Sequence, residues 1–345
     1  MDIGWVTMGD RLPDPITGTY LNQAERHRMV VEAAVKADEL GYWCVAVGEH
    51  HFCDYIISSP PVLLAAIAER TERVRLSTNV ALGTNNDPIR LAEDYATLDL
   101  LSGGRVEPVL GRGNLYEHTF TAFGQDPTKS REMYREKVAL LKLVLENEQV
   151  DWTGEFRSPF QNFTTQPRPF QNPMPLWVGG GSSNESADTA AQLGAGLMLP
   201  GVFGRPEMFV PIVARYREQW EVHGHDQAGC RVGTIAHTNV GFDGAATRAT
   251  MEERMAVYMG WVKDLVAISS PRWGTDFVPP FDFAKLTTVG PTICGSVDEV
   301  TDRICSFRDL LDLDVMTVMM DQGGMPLAEL TEMMELFAVE VMPRV

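Results

Sequence analysis

The chain has 345 residues, of which 44% are hydrophobic, and its formal net charge is −18. That length can bury one large core, and α/β barrels of this size commonly fold as one domain. The acidic surface repels nucleic-acid phosphates and anionic lipid, so we expect neither as a partner, and an anionic cofactor has to be held by local positive groups.

Strand-like and helix-like segments alternate along the whole chain. We predict strands at residues 3–8, 43–47, 74–82, 105–110, 175–180, 195–200, 232–242 and 314–320. We predict helices at residues 22–40, 60–70, 88–102, 129–147, 182–194, 205–223, 246–265, 297–311 and 326–341. Two stretches lack this pattern. Residues 150–174 are irregular, with a hidden hairpin as one interpretation, and we expect residues 266–292 to be a mobile loop.

About eight strands, most of them followed by a helix, favour a parallel sheet covered by helices. A closed barrel and a doubly wound sheet both fit that order. No GxGxxG follows the first strand, which weakens the dinucleotide-binding alternative. We therefore predict an α/β protein, a (β/α)8 TIM barrel with insertions, as a single domain over residues 1–345. Its functional site is expected at the carboxyl ends of the strands.

The first polar cluster, Glu49-His50-His51, follows the second predicted strand. Histidines at a strand end can act as a general base near neutral pH. Metal binding is less favoured, because the remaining histidines show no ligand spacing. Loop hydrogen bonding without catalysis is the alternative.

Two further clusters lie at the ends of the third and fourth strands. Ser77, Thr78 and Asn79 are small and polar in a strand that should be apolar, which indicates a backbone approached by a ligand or a polar layer inside the barrel. Arg112 lies in a Gly-Arg-Gly tripeptide and can bind a phosphate. The tripeptide alone equally fits a tight turn with a solvent-facing arginine.

The fourth cluster is the glycine-serine turn at residues 179–184, between a strand and a helix. Three consecutive glycines allow backbone N–H groups to converge, and the following helix N-terminus favours an anion. Late strand-to-helix junctions of this kind often bind phosphate in TIM barrels. A plain loop is the alternative.

Cysteine usage and the N-terminal residues bear on the cellular compartment. There are five cysteines without a CxxC pair, so neither a disulfide framework nor a zinc site is expected. The N-terminus lacks the basic and apolar regions of a signal peptide, and no apolar run is long enough to cross a bilayer. We therefore expect a cytoplasmic protein.

Taken together, these segments resemble the bacterial-luciferase-like family of flavin enzymes. The matching segments, in family order, are EHHF at 49–52, STNVALGTNNDPIRLAEDYATLDLLSGGRVEPVLGRG at 77–113, TFTAFGQD at 119–126, the glycine-serine turn at 179–183, and GSVDEVTDRI and ELFAVEVMP near the C-terminus. The stretch from Asp87 to Gly113 is the most specific, and residues 230–290 match loosely.

The resemblance implies a barrel that binds FMN at the strand ends, commonly as a homodimer. His50 matches the family histidine credited with acid/base catalysis, so the implied catalytic residues are His50, Glu49 and His51. The implied cofactor-binding residues are Asn79, Val80, Arg112, Gly181, Ser182, Ser183 and Ser186. The substrate end is expected to include Trp5, Met8, Met198 and parts of 266–292.

Two details of the resemblance concern single positions. The family carries a non-prolyl cis peptide beneath the flavin ring, and the corresponding bond here is Asn79-Val80. The reactive cysteine of luciferase corresponds to Gly111, which argues against light emission. That thiol is not general in the family, so oxygenation remains implied.

The implied activity is that of an FMN-dependent monooxygenase, an oxidoreductase that uses reduced flavin and O2 to oxygenate a small organic substrate such as an aldehyde or ketone. A separate flavin reductase would supply the reduced flavin. The alternatives are a deazaflavin-dependent hydride-transfer oxidoreductase and a non-catalytic flavin-binding protein. The intact Glu49-His50-His51 cluster argues against the non-catalytic alternative.

Overall fold

The computed structural model describes residues 1–113, 115–181, 183–270 and 278–345. Its strands are β1 Asp2–Thr7, β2 Cys44–Val47, β3 Arg75–Thr78, β4 Ala81–Leu82, β5 Val109–Gly111, β6 Gln149–Trp152, β7 Phe160–Thr164, β8 Trp177–Gly179, β9 Gly196–Leu199, β10 Val232–Gly241, β11 Ile293–Ser296 and β12 Val315–Met319. Its α-helices are α1 Gln23–Leu40, α2 Pro60–Ala68, α3 Pro88–Leu101, α4 Glu117–Ala122, α5 Ser130–Glu146, α6 Asn184–Leu193, α7 Val210–His223, α8 Gly244–Ser269, α9 Phe283–Thr288, α10 Val297–Leu311 and α11 Leu327–Leu336.

The parallel strands form a barrel in the order β3-β2-β1-β12-β10-β9-β8-β5-β4. Strands β3 and β4 are two halves of one interrupted strand, and a parallel bridge between Leu76 and Val106 joins β3 to the segment before β5. The sheet therefore closes on itself. With β3 and β4 counted as one, it has the strand number of a (β/α)8 barrel, which confirms the predicted fold class. Strand β11 is an additional strand that pairs with the C-terminal end of β10, at residues 238–241.

Local sequence signals account for where the helices begin and end. Asn22 and Glu25 form a reciprocal capping box at the start of α1, and Gly41 ends this helix in the left-handed conformation with φ of 79°. Asp87 caps α3 by accepting hydrogen bonds from two backbone N–H groups, and Pro88 occupies the first turn. The predicted bounds of both helices are confirmed to within a residue or two.

The two irregular stretches contain more regular structure than the sequence pattern indicates. Strands β6 and β7 form an antiparallel hairpin within residues 150–174, as one interpretation proposed. The expectation of a loop over residues 266–292 is wrong at two places, because α8 continues to Ser269 and α9 lies within this range; the expected mobility stays a prediction. Residues 271–277 lie outside the described residues. The missed elements are too short to show a period.

The N-terminal end of the barrel is closed by one arginine between two indole rings. The Arg231 guanidinium lies 5.1 Å from the Trp43 ring and 5.4 Å from the Trp177 ring. Trp177 also packs with Met198 and neighbouring strand residues in a small cluster inside the barrel. Met198 was expected at the substrate end, and contact of its side chain with a substrate stays a prediction.

Candidate active site

The candidate site lies at the carboxyl ends of the strands, where the four predicted polar clusters meet the loops. It has two parts. We call the first the anion pocket, which is lined by Arg112, Arg131, Tyr134, Arg135, Gly179, Gly180, Ser183, Glu185, Ser186 and Thr189. We call the second the mouth cluster, whose buried members are Val6, Met8, Leu12, Ala46, Tyr55, Ile235, Met251, Met255, Tyr258, Val262, Val266, Val278, Phe283 and Met319.

The anion pocket brings together three predicted phosphate ligands, Arg112, Ser183 and Ser186. Its volume is about 80 Å³. One ordered water needs roughly 10–15 Å³, so several waters or a small anion can be accommodated. Arg112 follows β5 and the two serines begin α6, which explains how residues about seventy positions apart share one cavity.

The start of α6 packs closely against the glycine-serine turn. A Cβ atom on Gly180 would lie 2.6 Å from the Ser186 Cβ, so only glycine fits at this position. Ser183 is the residue before the helix, and its hydroxyl does not cap the helix. The Ser186 hydroxyl donates to the Ser183 carbonyl at 2.8 Å. The first turn of α6 therefore lines the pocket, and the N-terminus of a helix favours an anion.

Two arginines of the pocket were missed by the sequence reasoning. Arg131 and Arg135 lie four residues apart on α5 and therefore share one face of the helix. Glu185 contacts both, at 3.0 Å from Arg131 and 3.5 Å from Arg135. The i, i+4 spacing is the signal that could have revealed them, but nothing in it shows that this face meets α6.

The turn contains two further predicted cofactor-binding residues, Gly181 and Ser182. Gly181 is buried, and a Cβ there would lie 2.8 Å from the Pro200 ring, so packing alone explains its glycine. Gly181 is not among the residues lining the anion pocket. Ser182 lies outside the described residues, so both cofactor-binding assignments remain predictions.

The peptide bond between Asn79 and Val80 is cis, as predicted. The Asn79 side chain donates to the Thr317 hydroxyl at 3.2 Å across the barrel. The Val80 carbonyl accepts a hydrogen bond from the Glu49 backbone N–H at 3.0 Å. The Asn79-Val80 step lies between β3 and β4, where the third barrel strand is interrupted. The hydrogen bond from Glu49 holds the loop after β2 beside this step. Contact of either residue with a flavin ring remains a prediction.

Packing against Val80 explains why residue 111, which corresponds to the luciferase cysteine, is a glycine. A Cβ on Gly111 would lie 2.2 Å from a Val80 methyl group, and a Cβ on Gly179 would lie 2.6 Å from the other methyl. The side chain of Val80 therefore fills the space between β5 and β8. Any side chain at position 111 needs a smaller neighbour at position 80.

Replacing Gly111 with alanine is expected to lower the free energy of unfolding by about 1–3 kcal/mol, because the added methyl overpacks the barrel. Thermal unfolding measures the effect as a Tm about 1–4 °C lower. The second substitution, Val80→Ala, should recover part of that loss. Gly260→Ala is the control, since a Cβ there meets nothing within 4 Å. A Gly111→Ala protein as stable as the control would contradict the packing argument.

His50 is surrounded by aromatic rings at the barrel mouth. Its ring centroid lies 4.2 Å from that of Tyr55 and 5.5 Å from that of Tyr116. Burial lowers the pKa of His50 to about 3, so its imidazole is neutral at physiological pH. Its Nδ1 atom is buried and makes no hydrogen bond to any described residue. A neutral imidazole with an unused nitrogen can accept or relay a proton.

Glu49 and His51 make contacts that position the loops around His50. The Glu49 carboxylate accepts from the Leu82 backbone N–H at 2.7 Å, from the Asn86 amide at 3.1 Å and from the His51 ring at 2.9 Å. The His51 carbonyl accepts from the His118 ring at 3.0 Å. Both predicted residues thus adjoin the site, and these contacts favour positioning roles. Direct participation in catalysis remains a prediction for both.

The substrate-end expectations are met only in part. Met8 belongs to the mouth cluster with Tyr55 and Tyr258. Trp5 belongs to the main core cluster, which packs the outside of the strands against the helices. Trp5 was expected in the substrate pocket, and its placement corrects that expectation. The alternation of side chains along β1 separates Trp5 from Val6 and Met8.

Two features are absent from the described ranges. Within them, no group of three or more His, Cys, Asp or Glu side chains is arranged to hold a metal ion. None of the helices in the same ranges combines the length and apolar character that a membrane span requires.

Residues 1–313 match the model of the luciferase-like monooxygenase family, and the chain therefore belongs to this family. It is 29% identical over 297 residues to 4-hydroxyprotoasukamycin monooxygenase of Streptomyces nodosus, covering 79% of this chain and 75% of the relative. It is 29% identical over 180 residues to the oxygenase component of the flavin-dependent trigonelline monooxygenase of Acinetobacter baylyi, covering 51% of this chain. That match spans 49% of the relative, so the chain covers about half the length of some of these curated relatives.

Among solved structures, the monooxygenase RslO1 from Streptomyces bottropensis has the same fold, with a TM-score of 0.87. The two chains are 26% identical, and the match covers 99% of each. The family resemblance seen in the sequence segments is thereby confirmed.

Proposed function

We propose that the protein is an FMN-dependent monooxygenase that uses reduced FMN and O2 to oxygenate a small organic substrate. The observation that carries this proposal is the anion pocket after β5 and β8, with His50 after β2 at the same carboxyl ends of the strands. Family membership and the relatives' flavin-dependent oxygenations support it. We further propose a cytoplasmic homodimer that receives reduced FMN from a separate reductase.

The residues of the site fit a flavin mononucleotide. Arg112, Ser183 and Ser186 would hold the phosphate, because they line one small cavity at a helix N-terminus in a chain that is otherwise strongly acidic. Gly180 leaves room for the close approach. Asn79 and Val80 would lie against the ring system. The bound flavin supplies the redox chemistry with O2, and the protein supplies orientation and electrostatics.

His50 would transfer protons on the substrate side of the site. Burial keeps its imidazole neutral and opposes lasting protonation, so the ring would accept a hydrogen bond at Nδ1, which has no partner among the described residues, and pass a proton on rather than retain it. Glu49 holds the loop that carries His50 by bonding to the Leu82 backbone. The aromatic side chains around His50 exclude water from the reacting groups.

Isotope labelling tests this proposal directly. The purified protein would be incubated with enzymatically reduced FMN, ¹⁸O2 and a panel of ketones, aldehydes and phenols, and the products analysed by mass spectrometry. We expect one ¹⁸O atom in an organic product. Loss of deazaflavin absorbance with an alcohol, without label incorporation, would instead establish the hydride-transfer alternative. Tight FMN binding with neither reaction would establish a flavin-binding protein without catalysis.

A further inference from the structure

Three tyrosine side chains converge in the mouth cluster although they come from three separate segments. Tyr55 follows β2, Tyr116 follows β5 and Tyr258 lies in α8. The Tyr55 and Tyr258 hydroxyl oxygens are 2.6 Å apart, and the Tyr116 ring packs beside that of Tyr55 with centroids 6.4 Å apart. We call these three residues the tyrosine cluster. The function proposed above uses the rings of Tyr55 and Tyr116 to exclude water and assigns the three hydroxyls no role.

The tyrosine cluster consists of hydrogen-bond donors at every physiological pH. Burial raises the pKa of Tyr55, Tyr116 and Tyr258 above the ordinary value for a phenol. Each hydroxyl therefore keeps its proton, and each can also accept through its oxygen. A group of this kind suits a ligand oxygen that is a carbonyl or a hydroxyl.

The surroundings of the hydroxyls are flat and aromatic. The Tyr55 ring lies 4.5 Å from the Trp261 ring, edge to face, and 4.2 Å from the His50 ring. The His237 ring lies 5.4 Å from the Tyr258 ring. Aromatic side chains in such arrangements stabilise another planar ring beyond the simple effect of area burial. An extended alkyl chain gains no such benefit.

Two buried ring nitrogens beside the cluster lack partners. The Nδ1 atoms of His50 and His237 make no hydrogen bond to the described part of the chain. Burial lowers the pKa of His237 to about 4, so this imidazole is also neutral. Buried polar atoms in native proteins are nearly always hydrogen-bonded. The two unpartnered nitrogens, one on the ring beside Tyr55 and one on the ring beside Tyr258, therefore indicate a polar ligand at the cluster.

The charges near the cluster disfavour an anionic ligand. Asp10 and Asp321 both raise the pKa of Tyr258. One guanidinium serves both carboxyls, since the Arg26 side chain lies 2.7 Å from Asp321 and 3.7 Å from Asp10. Among these three described side chains, one cation therefore faces two acidic groups. A carboxylate placed on the hydroxyls would experience that excess of negative charge.

We propose that the tyrosine cluster is the subsite for the carbonyl or hydroxyl oxygen of an uncharged, planar aromatic substrate. This inference rests on the proposed function and narrows its substrate class, which the family resemblance leaves open between aldehydes, ketones and related compounds. The tyrosine hydroxyls donate to the oxygen, an unpartnered histidine nitrogen accepts from the substrate when that oxygen belongs to a hydroxyl, and the aromatic rings of the mouth cluster contact the planar body.

Calorimetric binding to the purified protein tests the inference without flavin or oxygen. The probes are 2-naphthol, naphthalene, 2-naphthoate and decanal, which differ in the hydroxyl, the charge and the ring. We expect 2-naphthol to bind at least about fivefold more tightly than each of the others, since a net hydrogen bond contributes roughly 1 kcal/mol. Equal affinity for 2-naphthol and naphthalene, or a preference for decanal or 2-naphthoate, would overturn the proposal.

Substitution of the hydroxyls locates the effect. Tyr258→Phe should reduce the preference for 2-naphthol over naphthalene to about twofold or less, because one donor is lost. The matched control is Tyr42→Phe, whose hydroxyl donates to the Met334 carbonyl away from the mouth cluster. Identical preferences in the two variants would overturn the assignment. If Tyr258→Phe fails to fold, Tyr55→Phe and the wild-type comparison still decide it. A protein that selects 2-naphthol yet incorporates no ¹⁸O would refute only the oxygenase proposal.

Discussion

Replacing His50 with alanine is expected to reduce kcat for product formation by about 100- to 10,000-fold, the range typical of a general acid or base. The reason is the placement of His50 at the strand ends, with a neutral imidazole whose Nδ1 atom is not used by the described protein. FMN affinity should stay within about threefold, because the ring contacts aromatic residues rather than the anion pocket.

The control for this experiment is a histidine of similar chemistry far from the mouth. His27 lies on the exposed part of α1, and its Nδ1 atom contacts the Gln23 carbonyl at 2.8 Å. His27→Ala should keep wild-type kcat. A second variant, His50→Gln, retains polarity at the site and separates proton handling from packing. Wild-type turnover in His50→Ala would remove the acid/base role from this residue.

Replacing Arg112 with alanine is expected to weaken FMN binding by about 10- to 100-fold, which corresponds to a charge-assisted hydrogen bond of roughly 1.5–3 kcal/mol. Riboflavin lacks the phosphate, so its affinity should change by about threefold or less. Arg112 lines the anion pocket with the N-terminus of α6, where a phosphate is stabilised by both. Quenching of flavin fluorescence measures both affinities.

Comparing FMN with riboflavin distinguishes the loss of a phosphate ligand from unfolding of the variant. A variant that simply unfolds loses FMN and riboflavin together, whereas loss of a phosphate ligand affects FMN alone. Arg90→Ala is the matched control, because Arg90 is exposed on α3 and pairs with Asp94 at 3.0 Å. Parallel losses for the two flavins in Arg112→Ala, or no loss for either, would show that the phosphate is bound elsewhere.

The barrel could be predicted from the sequence because its signals are local. Each strand is a short apolar run, and the helices carry caps such as Asn22 and Gly41 that fix their ends. The exceptions have equally local causes. Strand β3 ends at Thr78 before the irregular Asn79-Val80 step, and α9 is too short to show a helical period.

The site could be predicted only where one segment contains the whole signal. The glycine-serine turn and Arg112 each stand at a strand end, so the fold itself brings them together. Arg131 and Arg135 were missed because their meeting with α6 depends on helix packing. The tyrosine cluster was missed for the same reason, since its three members are distant in sequence and its side chains meet only in the folded barrel.

The most direct test of the central claim is a crystal structure of the protein with FMN. The account predicts phosphate oxygens within about 2.7–3.2 Å of the Arg112 guanidinium and the first N–H groups of α6, with the ring system extending towards His50. Phosphate density away from the anion pocket, or a ring directed away from His50, would contradict it.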